Sequence, residues 1–237
     1  AHEYAFARVA AWGADDVELN EVEGTKEEGA NKAAKKVALP QFDPTWQPLP
    51  MDAIDQPWWK AGMSYQVYFR ESGEFHDYLV AYRGTEEPTR VRGITDWLLG
   101  NFTYLTQSLP IPNQYDTAAN AYASDQKYAV DNADGKKVRF LAVGHSLGGG
   151  LARHVSGRFV CTSAVLVNSS PVENAHFYHW AKYNNDLVHI FDLDDILSSN
   201  ARKVFPEYDT ANNRTYNQQV ISDADDYLQH GALKMAV

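Results

Sequence analysis

FLAVGHSLGGGLA, residues 140–152, is the stretch whose reading decides the fold. A continuous apolar run of strand length, VRFLAVG (138–144), leads into HSLGGGLARHVSGRF (145–159), which predicts a helix, and Gly144, Ser146 and Gly148 form G-x-S-x-G at the junction. The strand before and the helix after are what give that pattern its meaning. A serine thrust out on a sharp strand-to-helix turn requires a strained backbone, and its neighbours must lack bulky Cβ groups for the turn to close. The same turn aims a helix N-terminus at Ser146, so the amide of Leu147 can donate to a developing oxyanion. The competing reading is a glycine-rich turn carrying an ordinary serine, and the flanking elements weigh against it.

Outward from this string the chain alternates strands and helices. SAVLVN (163–168) and LVHIFDL (187–193) read as further buried strands, with a helix predicted near 174–183 between them. Upstream, residues 115–132 place Tyr115, Ala118, Ala119, Tyr122, Ala129 and Val130 on one helical face. MSYQVYFRE, ESGEFHD and DYLVAYRG (63–84) read as a β-hairpin of half-buried strands. Together these predict an α/β architecture, a mostly parallel central sheet covered by helices on both faces. Residues 2–12 have the spacing of a short helix, 13–36 are acidic and then mixed, and five of the ten prolines fall between Pro40 and Pro57. Phe42, Trp46, Trp58 and Trp59 are interleaved with those prolines, so this segment is expected to wrap over a core and not to float as a linker. The division that follows is one domain over 1–237, with 1–62 as the helix and wrapping segment and 63–237 as the core.

Composition narrows the chemistry. The 237 residues are 44% hydrophobic and 22% charged, enough to bury one sizeable core. Lys plus Arg total 21 against 31 Asp plus Glu, a formal net charge of -10, the wrong sign for a protein that gathers nucleic acid by its phosphates. Cys161 is the only cysteine, which excludes an intrachain disulfide and a four-thiolate zinc site. His176 and His179 have no third ligand nearby and read as the surface of an aromatic helix, so no metal is expected. No apolar run is long enough to span a bilayer, and AHEYAFARVAAW at the start lacks the pattern of a signal peptide. Compartment stays open, with a secreted or periplasmic setting preferred to a cytoplasmic one, and oligomeric state is open too.

A serine needs a base and an orienting acid to become a nucleophile. On a strand–serine–helix elbow they follow in the order Ser, Asp or Glu, His. Of the eight histidines only His230 lies beyond the third predicted strand, in DYLQHGAL. LVHIFDLDDIL offers Asp192, Asp194 and Asp195 at a strand end; Asp195 is the first choice and Asp194 the second, with a turn or helix cap as the alternative role for either.

Four landmarks in order make the chain resemble the class 3 lipases, the α/β-hydrolase family of fungal triacylglycerol lipases and their bacterial relatives. VAYRGT (80–85) with DWLLGNF (96–102) looks like the family's strand, R-G-[ST] oxyanion loop and [DN]-W segment, and GHSLGG (144–149) resembles its nucleophile elbow. VNSSPVEN (167–174) is similar to G-S-P-x-V-G-N, departing at Ser169 and Glu173 where glycines are usual; HIFDLDDIL (189–197) resembles V-N-x-x-D-x-V and puts the acid on Asp195. The resemblance covers about residues 63–233 and leaves the first sixty without a counterpart. It implies an α/β-hydrolase fold with Ser146 as nucleophile, Asp195 as acid, His230 as base, and Thr85 and Leu147 as oxyanion donors. By the same resemblance His145 packs beside the serine, Arg83 supports the oxyanion loop through a carboxylate pair, Asp96 caps or partners that segment, Trp97 belongs to the core and residues 86–95 form a lid. That lid, EEPTRVRGIT, is charged and short of large apolar residues, which argues against strong interfacial activation. Phe102, Tyr104, Leu105, Leu109 and Ile111, set between prolines, suit either an acyl groove or a buried connection over the sheet.

The activity implied is carboxylic ester hydrolysis of acylglycerol or other fatty-acyl esters through an acyl-enzyme, with no cofactor and a lipid or small ester as substrate. Contact with a lipid interface would be transient and made by apolar loop side chains. A phospholipase or acyltransferase of the same fold, a peptidase or thioesterase, and an inactive hydrolase scaffold that only binds are the alternatives. The absence of a disulfide favours a bacterial-type relative over a secreted fungal one.

Overall fold

The computed structural model describes residues 45–50, 63, 65–83, 114–170, 185–192 and 215–220. Among the described residues there is one seven-stranded sheet whose strands lie side by side in chain order. They are β1 (Gln47–Pro48), β2 (Tyr65–Ser72), β3 (Phe75–Tyr82), β4 (Lys137–His145), β5 (Thr162–Val167), β6 (Leu187–Asp192) and β7 (Thr215–Val220). β1, β2 and β3 pair antiparallel, and every pairing from β3 to β7 is parallel. Helix α1 (Gln114–Asp131) connects β3 to β4, and α2 (Leu147–Arg158) connects β4 to β5.

The expected hairpin is present. β2 and β3 run in register from Tyr65↔Tyr82 to Ser72↔Phe75, and Gly73 at φ 59° takes the first position of the two-residue connection, where a tight turn calls for positive φ. All of β3 after Phe75 is buried, as a strand inside a sheet covered on both faces must be. Tyr78, Val80 and Tyr82 point to one face with Tyr65, Val67, Phe140, Ala142, Ala164 and Leu166, and α1 and α2 pack on that face. Leu79, Ala81, Val143, Val165 and Ile190 form the opposite face, on which Trp46 packs. Of the proline-rich segment expected to wrap over the core, only residues 45–50 are described, and in them Trp46 is the side chain packed on this face. Arg70 holds its guanidinium 4.2 Å from the Trp46 ring centre while pairing with Asp77, which also pairs with Arg139.

Three details depart from the sequence reading. Val130 is not on the buried face of α1 but 64% exposed; the buried stripe runs through Tyr115, Ala118, Tyr122, Asp125 and Ala129, and Val130 lies a further 100° round the helix. His145 ends β4 instead of opening the helix, which starts at Leu147. β7 is an added strand that the polar run TYNQQV did not signal, because a strand at the margin of a sheet need not be apolar. The helices expected over 2–12 and 174–183 lie outside the described residues. No helix among the described residues is long and apolar enough to cross a membrane.

Asp125 is the chemical exception on the buried stripe. It is 1% exposed, receives a hydrogen bond from the Tyr65 hydroxyl at 3.2 Å, and leaves Oδ2 without a partner. Burial raises its pKa to about 7, against a smaller lowering by the Tyr65 hydrogen bond. Tyr82, whose ring stacks on Tyr65 at 5.7 Å, and Tyr122 are buried nearby, and burial raises both phenols as well. A carboxyl whose folded pKa lies above its unfolded value costs nothing below pH 4 and destabilises progressively as pH rises from about 4 to about 7. Thermal unfolding midpoints measured from pH 4 to 8 should show this decline, and Asp125→Asn should flatten it by removing a cost on the order of a few kcal/mol at pH 8. A mutant with the same pH slope as the parent would assign the decline to other groups.

Candidate active site

Ser146 sits between β4 and α2 with φ 54° and ψ -122°, a combination that L-residues ordinarily avoid and that costs about 1–3 kcal/mol unless its surroundings impose it. What imposes it is steric. A Cβ on Gly144 would lie 2.2 Å from the carbonyl carbon and oxygen of Gly148, so the strand before the serine and the helix after it are in backbone contact. A Cβ on Gly148 would lie 2.2 Å from the Tyr82 carbonyl oxygen, so the first turn of α2 also presses on the end of β3. The two flanking glycines of G-x-S-x-G thus have different partners, one within the turn and one on the neighbouring strand.

The backbone of Ser146 is held from the other side by the chain leaving β5. Its N–H donates to the Val167 carbonyl at 3.1 Å, and its carbonyl accepts from the amides of Ser170 at 2.9 Å and Gly150 at 3.3 Å. Asn168, between those anchors, adopts φ 38° and donates its N–H to the Ile190 carbonyl of β6 at 2.9 Å. Although Ser146 occupies the N-cap position of α2, its side chain makes no capping hydrogen bond. Leu147 is the first residue of α2, so its amide is among the four that no intrahelical carbonyl can take. A helix N-terminus with such amides favours negative charge.

The side chains around the elbow are buried. Ser146 is 5% exposed, and His145, Arg153 and His154 are comparably covered. Burial, with a smaller contribution from Arg158, lowers the His154 pKa to about 3, so its imidazole is neutral near pH 7. The His154 ring lies tilted against that of Tyr115, centroids 5.3 Å apart, and belongs to the packing of α2 against α1. The sequence reading did not single it out.

Of the residues expected at the site, Ser146, Leu147, His145 and Arg83 lie within the described residues, and so does the backbone of Asp192. Thr85, Asp194, Asp195 and His230 lie outside them, as do Phe102, Tyr104, Leu105, Leu109, Ile111, Asp96, Trp97, His176, His179 and the segment 86–95. The register of the sheet nevertheless aligns the exits that lead to several of them. Tyr82 is level with Gly144, His145 with Val167, and Val167 with Ile190. The chain therefore leaves β3, β4, β5 and β6 at one edge, the carboxyl edge of a parallel sheet, where open α/β folds bind their ligands.

A strained, buried serine on a strand–helix elbow at that edge, in a mostly parallel sheet entered by an antiparallel hairpin, defines an α/β hydrolase. Residues 10–176 match the model of the Tle-like phospholipase domain, a phospholipase-like family, and the chain belongs to that family. The lipase-like class anticipated from the four landmarks is thereby shown, and its chemistry is lipid-ester hydrolysis. The match begins at residue 10, so most of the proline- and tryptophan-rich segment left without a counterpart has one. The fold is similar to that of a lipase from Rhizopus microsporus var. chinensis, with 14% identity, a TM-score of 0.51, 95% of this chain covered and 77% of that one. A triacylglycerol lipase from Penicillium expansum aligns over 69% of this chain and 65% of its own length, with 14% identity and a TM-score of 0.39. No curated protein matches the chain by sequence.

The glycine geometry makes a graded prediction. Gly148→Ala drives a methyl into the immobile Tyr82 carbonyl and should cost more than about 3 kcal/mol or prevent folding. Gly73→Ala meets no atom within 4 Å and should cost only the positive-φ penalty, about 1 kcal/mol. Denaturant midpoints of the two variants check the order, and equal losses would refute the close approach.

Proposed function

We propose that this protein is a serine lipid-ester hydrolase in which Ser146 is the nucleophile. The observation that carries the reading is the elbow itself: a non-glycine residue held in a strained conformation, at a helix N-terminus, with its hydroxyl not used for capping. Strain of this kind is retained where function needs it.

The reaction then runs as follows. Ser146 Oγ attacks the acyl carbonyl while His230 takes its proton, and the oxyanion is met by the amides of Leu147 and Thr85. Asp195 holds the imidazolium, which returns the proton to the departing alcohol. Water activated by His230 attacks the acyl-serine, releasing the fatty acid and restoring the hydroxyl. Asp195 follows the end of β6 by three residues and Thr85 follows the end of β3 by three, a chain length of at most about 10 Å, and both strands end on the edge that carries Ser146. That reach supports the two assignments. His230 rests on the order Ser, Asp, His and on being the last histidine of the chain. No cofactor enters this chemistry.

Among substrates the family match favours the acyl esters of phospholipids over acylglycerols or simple esters, so the phospholipase reading moves ahead of the triacylglycerol one. Phe102, Tyr104, Leu105, Leu109 and Ile111 remain the candidates for the acyl groove.

Two measurements test the proposal. Ser146→Ala should fold with an unchanged unfolding midpoint, lose essentially all turnover of a p-nitrophenyl acyl ester, and lose labelling by a fluorophosphonate. Near-parental turnover in that variant would overturn the mechanism, and a parent that binds lipid without being labelled would make the chain an inactive scaffold. Release of fatty acid from phosphatidylcholine, phosphatidylglycerol, diacylglycerol and triacylglycerol, compared at equal surface concentration, should be fastest with a phospholipid; a preference for triacylglycerol would restore the lipase reading.

A further inference from the structure

We propose that Ser169, which the reaction itself does not use, is a positioning residue for the nucleophile, acting through the backbone brace that residues 167–170 build under Ser146. The inference rests on the reading of Ser146 as nucleophile. The brace has two arms on a single residue: Val167 accepts from the Ser146 N–H at 3.1 Å, and the Ser170 N–H donates to the Ser146 carbonyl at 2.9 Å. Between the arms the chain must reverse, and Asn168 does so at φ 38° while its N–H anchors to Ile190 of β6. Ser169 closes the reversal by donating its hydroxyl to the Ser170 carbonyl at 3.0 Å, and it is 1% exposed.

Ser169 also meets α2 directly. A Cβ on Gly149 would lie 2.7 Å from the Ser169 Cβ and 2.8 Å from its Oγ, so the absent side chain of Gly149 is the space that Ser169 fills. The next glycine repeats the relation, since a Cβ on Gly150 would lie 2.6 Å from the Ser170 Oγ. Two glycines in succession inside a helix cost about 0.5–1 kcal/mol each against alanine, a cost that makes sense where the helix must lie on the brace. The side chain of Ser169 therefore fixes how closely the first turn of α2 approaches the brace, and with it the direction in which Ser146 presents its hydroxyl. Misplacement of a reacting atom by a fraction of an ångström lowers the rate while leaving ground-state binding intact.

The test is a double-mutant cycle read in kcat and KM on a p-nitrophenyl ester and in the rate of fluorophosphonate labelling. Gly149→Ala should lower kcat at least tenfold with KM within twofold, and Gly149→Ala/Ser169→Gly should turn over faster than the single variant although it carries one more change. Ser169→Gly alone, which adds no atoms and is expected to fold, should lower kcat and the labelling rate several-fold without moving KM or the pH profile. A double variant as slow as Gly149→Ala, or Ser169→Gly with parental kcat, overturns the brace. Should Gly149→Ala fail to fold, Ser169→Gly decides alone. Failure of the underlying reading is separate: it appears as turnover surviving Ser146→Ala, whereas failure of the brace appears with Ser146→Ala inactive and the cycle showing no rescue.

Discussion

The structure depends on how closely the first turn of α2 approaches its neighbours. Gly148 touches the end of β3, Gly144 touches Gly148, and Gly149 and Gly150 lie on the side chains of residues 169 and 170. Each contact leaves no room for a Cβ, so the helix begins as bare backbone wedged between β3 and the chain leaving β5. The consequence for Ser146 is that its φ of 54° is imposed by its surroundings and is no local preference. An isolated peptide of this sequence would have no reason to hold it.

A helix held only at its first turn would pivot, and α2 is held at both ends. Asn185, just before β6, accepts the Thr162 N–H and donates to the carbonyls of Ser156 and Phe159 at 2.8 and 2.6 Å. One buried amide thus takes the carbonyl of Ser156 in the last turn and that of the capping residue Phe159, and ties them to the start of β5. Ser156 adds a bond to the Thr162 carbonyl, and Tyr122 of α1 meets the Thr162 hydroxyl at 2.7 Å. Residues on α1, α2 and β5 and the approach to β6 therefore converge where α2 ends, leaving its N-terminus the freedom of neither tilt nor slide. Rigid elements of this kind are what fix a reacting group to within a fraction of an ångström.

Much of this was legible in the sequence, for identifiable reasons. The elbow was readable because its chemistry demands small residues at fixed positions between elements of opposite periodicity, and the hairpin because Gly73 punctuates two alternating runs. What periodicity could not supply was the partner of each small residue. GGG at 148–150 reads as a flexible string, yet each glycine faces a different neighbour, and only the fold says which. Asp125 illustrates the same limit: nothing in its spacing among the alanines of α1 marks it, and it becomes a buried carboxyl with a raised pKa only because the fold takes it out of water, where the Tyr65 hydroxyl is its hydrogen-bond donor. At Ser169 the chain departs from the glycine usual in the class 3 lipases, and only the fold shows that the Ser169 side chain fills the space beside Gly149.

The charge of the chain bears on how it could meet lipid. A net charge of -10 gives no Coulomb attraction to an anionic surface and repulsion at low salt, so the lipid contact that the proposed function calls for would rest on apolar side chains. Among the described residues the large apolar side chains that are exposed are Val130 and Val160, one at the end of α1 and one just after α2, and two separate valines bury too little area to hold a protein at an interface. The described surface is that of a scaffold that turns its apolar residues inward. The aromatic and aliphatic run from Phe102 to Ile111 has the composition that this scaffold withholds from its surface, and it is joined to β3, whose end lies against the elbow. Under the proposed function, lipid recognition falls to the apolar stretch between β3 and α1 and catalysis to the serine that the sheet and α2 hold, so the two tasks sit on different parts of the chain.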